Sequence, residues 1–272
     1  MSATLAFDRL APSYDSLTDG ELFTLMRRRT HDVFLRWFRP GCRVLEIGCG
    51  TGRDTAFLTR HGIRVVACDP SEAMVSRTLG RLANEGASDR ATVMPCGLEN
   101  LRTFLDALGE REAFDGFVSN FGALNCVECL MPLRELAAEA LRPGGAVLLN
   151  LMGRTCVIEA VYFALTGRGN LVRRRQADGA VQIPVAGVNV AAFYHRTREL
   201  KTMLGPNLRL ARVTGIGVAI PPPYLEPRWT TLPRFTRARL ADVDAFISTW
   251  PPFNRLGDHI LLQFVKRRSP HA

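Results

Sequence analysis

The chain has 272 residues, 47% of them hydrophobic and 22% charged, with a net charge of +9. That length suits one large globular domain, or one domain with an elaborate insertion, and it buries enough core to need no covalent staples. A chain of membrane spans is excluded, because no apolar run approaches the ~20 residues that a spanning helix needs. The first residues, "MSATLAFDRLAPSYD", lack a basic start followed by an apolar stretch, which reads against a signal peptide. Seven cysteines, an odd number scattered through apolar segments, read as reduced thiols, so the expected location is cytoplasmic. Residues 1–150 hold 17 Lys and Arg against 19 Asp and Glu, whereas residues 151–272 hold 18 against 7. The basic excess therefore lies wholly in the second part, where an acidic substrate, a carrier protein or an anionic lipid surface would be attracted.

Residues 1–40 are expected to form a helical cap, broken at Pro12 and Gly20. Within it "ELFTLMRRRTHDVFLRWF" places Leu22, Leu25, Met26, Val33 and Trp37 near one face at helical spacing. Pro40-Gly41 ends that helix. Short apolar segments then alternate with amphipathic ones: "RVLEIG", "IRVVACD", "ATVMP", "FDGFVSN" and "GGAVLLNLMG" as strands, with helices between them. Residues 41–151 thus read as an α/β core, a doubly wound and mostly parallel sheet with helices on both faces. Ligands of such sheets bind beyond the carboxyl ends of the strands. In residues 152–272 the rhythm loosens. "CVIEAVYFALTG" suits a helix, "AVQIPVAGVNVAAFYH" extended structure, "RTRELKTML" a short helix, and "LRLARVTGIGVAI" and "DHILLQFVKR" two more strands, with a helix near "LADVDAFISTW". This part is expected to be an insertion after the fifth strand that faces the substrate and completes the same sheet, seven-stranded in all.

The sharpest motif is "VLEIGCGTGRD", a strand that enters a glycine turn and opens a helix. Glycines at 48, 50 and 52 allow backbone conformations closed to other residues and let a ligand approach closely. The dinucleotide pattern would need glycine at position 53, where Arg53 stands, and no phosphate-cradling lysine follows. An acid precedes the turn at Glu46, which suits a cofactor with an amino group and a sulfonium.

Residues 44–52 resemble the first motif of class I S-adenosylmethionine (SAM)-dependent methyltransferases, and the resemblance runs over roughly residues 5–151. "VVACDPSEAMV" ends the second strand in Asp69, 19 residues after Gly50. In the family that acid accepts hydrogen bonds from both ribose hydroxyls. "FDRLAPSYD" is similar to the cap of small-molecule members, in which a tyrosine such as Tyr14 closes over the cofactor. The resemblance implies SAM as cofactor, held by Tyr14, Glu46, Gly48, Cys49, Gly50, Asp69, Pro70, Met74, Gly97, Leu98, Asn120 and Phe121. Cys96 stands where the family often has an adenine-binding acid, which leaves the adenine to the backbone of Gly97 and Leu98, to water or to Glu99. The implied activity is methyl transfer to an O, N or C atom of a small-molecule acceptor, with anionic or lipid-like acceptors in view. A nucleic-acid methyltransferase and a SAM-binding regulatory protein are the alternatives.

Acceptor residues are harder to place. His195, beyond the fifth strand, is the candidate base, and its neighbour Tyr194 a candidate pocket residue. His31 reads as a helix-surface residue and His259 as structural. Pro221-Pro222-Pro223-Tyr224 is similar to the Pro-Pro-Tyr loop of base-amine methyltransferases, but that family's slot follows the fourth strand, and "SNFGALN" fills it here. Nucleic acid is accordingly a disfavoured partner. The prolines instead read as a stiff rim that holds Tyr224 toward the substrate. Cys126 and Cys129 have CxxC spacing without a second pair, so no metal is expected. A homodimer through the N-terminal helices stays open.

Overall fold

The computed structural model describes residues 3–107, 109 and 113–268. Strands β1 (Arg43–Ile47), β2 (Arg64–Asp69), β3 (Ala91–Pro95), β4 (Phe114–Ser119) and β5 (Leu141–Met152) pair in parallel. Beyond the hairpin strands β6 (Ala180–Val185) and β7 (Val188–Phe193), β8 (Leu208–Ile216) and β9 (His259–Lys266) run antiparallel at the far edge. The order is β3-β2-β1-β4-β5-β9-β8, the seven-stranded, mostly parallel arrangement expected. All five residues of β1 are buried, as a strand covered on both faces requires. Chain order reverses between β1 and β4, and such a switch point opens a crevice at the carboxyl ends of the strands.

Helices α1 (Ala3–Leu10), α2 (Tyr14–Leu17) and α3 (Glu21–Trp37) precede the sheet. In α3 the residues Leu22, Met26, Val33 and Phe34 are buried against Val44, Val65, Val118 and Leu148 of the sheet. The cap is thus anchored by its third helix, and Trp37 donates from Nε1 to Gln263 of β9 at 2.9 Å. Helices α4 (Arg53–Arg60) and α5 (Glu72–Asn84) follow β1 and β2. Next come α6 (Leu101–Ala107) and α7 (Met131–Ala140). Leu101, Leu105, Leu133 and Leu136 join the opposite core face with Phe114, Phe117, Leu149 and Leu262.

After β5 come α8 (Val157–Leu165), the β6–β7 hairpin and α9 (Thr197–Leu204). The extended stretch expected at 180–195 is this hairpin, a separate two-stranded sheet turned by Ala186 and Gly187, both at positive φ. Two central residues at positive φ match the twist of paired strands. The proline run departs from a uniformly stiff rod. Pro222 is extended, but Pro223 opens a short turn through Leu225 into α10 (Glu226–Trp229), since proline suits the first position of a helix. Helix α11 (Arg234–Ile247) then leads back toward β9.

Candidate active site

The glycine turn joins β1 to α4 with Gly48, Gly50 and Gly52 at φ of 79°, 54° and 77°. A Cβ on Gly48 would lie 2.3 Å from the Cβ of Ala123, so packing as well as φ demands glycine there. A Cβ on Gly50 would meet no atom within 4 Å, because that position borders a cavity. The Gly50 N–H donates to Asp69 Oδ2 and the Ser71 N–H to Asp69 Oδ1, both at 2.9 Å. Asp69 ends β2 and borders the same cavity. Burial raises its pKa, and the two N–H donors oppose that shift.

The cap closes over this turn through charged contacts. Asp15 accepts from Thr51 Oγ1 at 2.7 Å, Arg53 Nε at 3.0 Å and Arg81 Nη2 at 2.8 Å. Asp8 accepts from Ser71 Oγ at the start of α5. Between them Tyr14 lines the cavity, its ring edge-on to Phe7 at 6.2 Å. Burial pushes the Tyr14 phenol up to about 12, so it is a neutral hydroxyl at ordinary pH. Its oxygen has no hydrogen-bond partner among the described residues.

A second network braces the wall beyond β4. Asp54 accepts from Arg27 Nη1 at 3.0 Å, His31 Nε2 at 2.6 Å and Asn120 Nδ2 at 2.8 Å. Burial pushes the Asp54 carboxyl up, and the Arg27 charge with the His31 and Asn120 donors more than offsets it, holding the group well below the usual range. Asn120 Oδ1 accepts from the Phe121 N–H at 3.0 Å and Asn150 Nδ2 at 2.7 Å. Phe121 sits at φ 48°, a region bulky residues avoid at a cost of about 1–3 kcal/mol. Its ring is held by Arg27 at 4.6 Å, Phe23 at 5.8 Å and His259 at 5.7 Å.

Of the residues expected at the cofactor, eleven border one cavity of about 230 Å³. Gly48, Cys49 and Gly50 form its floor, Asp69, Pro70 and Met74 one side, and Gly97 and Leu98 the next. Asn120 and Phe121 stand opposite, and Tyr14 comes from the cap. Glu46 does not line it: the side chain is buried beneath the turn and accepts from Thr55 Oγ1 at 2.6 Å. Burial first, and then the Asp54 charge, push the Glu46 carboxyl up to about 8. The folded chain therefore holds a proton that the unfolded chain releases above its ordinary carboxylate pKa. Stability from this group is full below that value and is lost as pH rises through about 8. Glu46→Gln is expected to flatten the decline, leaving the variant more stable than wild type above pH 8 by on the order of a few kcal/mol. Thermal melts on either side of that pH check it, and parallel curves for the two proteins would contradict it.

The expected acceptor residues lie elsewhere. His195 does not border the cavity but packs behind its wall. Its Nε2 donates to the carbonyls of Val127 at 3.0 Å and Leu124 at 3.3 Å, which braces two residues of the cavity wall. Tyr194 is buried outside the cavity, with the Arg175 guanidinium 5.7 Å from its ring centre. Tyr224 donates to Glu159 Oε1 at 2.9 Å and joins an ionic cluster, where Arg175 bridges Glu159 and Asp258 at 2.6 Å each. Sequence reasoning missed Arg27 and Asp54, and it read His31 as a surface residue, whereas its ring stacks on Phe57 at 3.7 Å.

Residues 44–145 match the family of the methyltransferase domain. The chain is similar to a demethylmenaquinone methyltransferase of Beutenbergia cavernae, 32% identical over 53% of this chain and 55% of that one. It is also similar to a malonyl-[acyl-carrier protein] O-methyltransferase of Erwinia pyrifoliae, 28% identical over 78% and 79% of the two chains. The chain thus spans about half the length of the first of these. Among solved structures it is similar to the CcbJ methyltransferase of Streptomyces caelestis, with a TM-score of 0.61, 15% identity and coverage of 98% and 100%. Residues 44–145 thus match a methyltransferase domain, and the chain as a whole shares the fold of a solved methyltransferase.

Proposed function

We propose that this chain binds SAM in the cavity between cap and sheet and transfers its methyl group to an O, N or C atom of a small-molecule acceptor. The observation that carries the reading is Asp69, fixed by two N–H donors at the end of β2 beside a glycine whose missing Cβ leaves room for a ligand. These residues fit the cofactor. Asp69 would take the ribose hydroxyls, and Gly97, Leu98 and Glu99 would face the adenine. Pro70 and Met74 would pack the nucleoside, and the floor at Gly48, Cys49 and Gly50 would lie along the amino-acid end. When bound, SAM supplies an electrophilic methyl on a sulfonium.

The protein's share is mainly placement. Holding a nucleophile against the reacting carbon is worth roughly 7–11 kcal/mol. Tyr14 and Phe7 cover the cavity from the cap and exclude water. Phe121, clamped by the Arg27–Asp54–Asn120 network, would set the acceptor-facing wall. Residues 1–40 serve in this reading as the cap, 41–151 as the cofactor core and 152–272 as the acceptor-facing part. Two relatives, named for a demethylmenaquinone and a malonyl-carrier substrate, support a small-molecule acceptor. The basic surplus of residues 151–272 favours an anionic one. No helix among the described residues is long and apolar enough to cross a membrane, and a cytoplasmic location is part of the proposal. Self-assembly through the N-terminal helices loses its appeal, because Leu22, Met26 and Phe34 are spent on the chain's own sheet. Titration of SAM into the purified protein is expected to saturate a single site, with demethylated cofactor competing. Absence of saturable binding would overturn the reading.

A further inference from the structure

Helix α11 packs Leu240 inward but carries Phe235, Val243 and Phe246 outward. Phe235 is 70% exposed, Phe246 64%, and Trp250, just past the helix end, 51%. With Val243 they follow helical spacing along one face, and the rings of Phe246 and Trp250 touch at 4.8 Å between centroids. Isolated exposed hydrophobics are ordinary, but a row of aromatic groups on one helix face is not.

The orientation of this helix is fixed from behind. Asp244, on the opposite face, is buried and accepts from the N–H groups of Val218 and Ala219. Arg29 Nη2 donates to the Ala241 carbonyl at 3.2 Å, and Arg237 pairs with Glu21. Rotation that would hide Phe246 would break these contacts. A second outward stripe, Val157, Val161 and Leu165, runs along α8. The two regions are joined where the Val157 N–H donates to the Leu256 carbonyl at 3.2 Å, and where Arg228 lies 5.3 Å from the Tyr162 ring centre.

Charge in this region is mostly positive, with Asp242 as the exception on the aromatic face itself. Between residues 226 and 255 the exposed cations are Arg228, Arg234, Arg239 and Arg255, against Asp242 as the exposed acid. Of the other acids there, Asp244 is buried and Glu226 accepts from the N–H groups of Glu21 and Leu22 at the start of α3. Glu159 of α8 is buried with Arg174 and Arg175.

From the outward aromatic row, its fixed orientation and its rim of arginines, we infer that the α11 face with Trp250 docks on an anionic phospholipid surface. Tryptophan and phenylalanine settle at the headgroup boundary, while arginines find the anionic lipid around them. A second copy of the chain is the poorer occupant, because a two-fold contact would set the same four arginines against each other. The inference stands apart from methyl transfer and needs only the folded chain.

Co-sedimentation with vesicles tests it, comparing phosphatidylglycerol mixed into phosphatidylcholine with phosphatidylcholine alone. Partition is expected into the anionic vesicles, weakening as salt rises. Tryptophan emission should shift to the blue on binding, reporting Trp250, since Trp229 is fully buried already and Trp37 is largely covered. Phe246→Ser with Trp250→Ser should reduce partition at least tenfold. Arg234→Glu with Arg239→Glu should reduce it by about 25-fold or more, at about fivefold for each cation lost. Both variants should keep the wild-type circular dichroism. The inference is overturned by no partition into anionic vesicles, by equal partition into neutral ones, or by folded variants that partition like wild type. Self-association or capture by an acidic carrier protein that shifts Trp250 emission, without any vesicle binding, would equally overturn it.

Discussion

Asp69→Ala is expected to weaken SAM binding by roughly a hundredfold or more while leaving far-UV circular dichroism unchanged. A hydrogen bond to a charged group is worth about 1.5–3 kcal/mol, and the carboxylate is placed to accept two from a vicinal diol. Its second duty is local: it receives the Gly50 and Ser71 N–H groups. Gly50 borders the cavity, where water can replace its lost acceptor, and the buried Ser71 N–H is a single local loss, so the sheet and the cap should survive. Asp69→Asn keeps an acceptor oxygen but not the charge, and an intermediate loss is expected. Calorimetric titration of the three proteins ranks them. Equal affinities would remove Asp69 from the cofactor site.

Asp54→Ala should lower stability by about 3–5 kcal/mol, because removing one partner of a buried pair leaves the other charge uncompensated. Three donors converge on this carboxylate from two different elements, Arg27 and His31 on α3 and Asn120 after β4. Without it Arg27 loses the partner that holds it over Phe121, and Asn120 loses one of its two acceptors. The pH dependence has a definite sign. The Asp54 pKa is depressed in the folded chain, so its contribution is present above the ordinary carboxylate value and is lost as pH falls below it. Denaturant titration should therefore show a large deficit for the variant at neutral pH that narrows on acidification. A neutral-pH deficit under about 1 kcal/mol, the scale of an exposed pair, would contradict this.

The five parallel strands were legible because each is a short, buried apolar run set off by glycine, proline or an acid. The glycine turn was legible because three alternate glycines after a strand leave few other meanings. What local pattern could not carry was pairing across the chain. Asp54 meets partners 23, 27 and 66 residues away, and nothing in "GTGRD" says that an arginine of the cap will turn back onto it. His31 occupies a helical position whose surroundings depend on where α4 packs, so the surface reading failed. Glu46 was expected at the cofactor from its place in the motif, yet an inward-facing position in a strand covered on both sides puts it beneath the turn. A rim position for Tyr224 requires three prolines that stay extended. Pro223 begins a turn instead, and the ring is drawn to Glu159. The acceptor side is the least legible part, since residues 152–272 mix a hairpin, short turns and edge strands whose mutual placement rests on ion pairs such as Glu159–Arg175–Asp258.

Methyl transfer itself is tested most directly by incubating the purified protein with methyl-labelled SAM and a small-molecule extract, then following the label. The account predicts labelled small-molecule product together with demethylated cofactor in equal amount, and neither with the Asp69→Ala variant at the same SAM concentration. Label that stays in SAM while the wild-type protein binds it saturably, across extracts rich in anionic and lipid-like metabolites, would contradict methyl transfer to a small molecule.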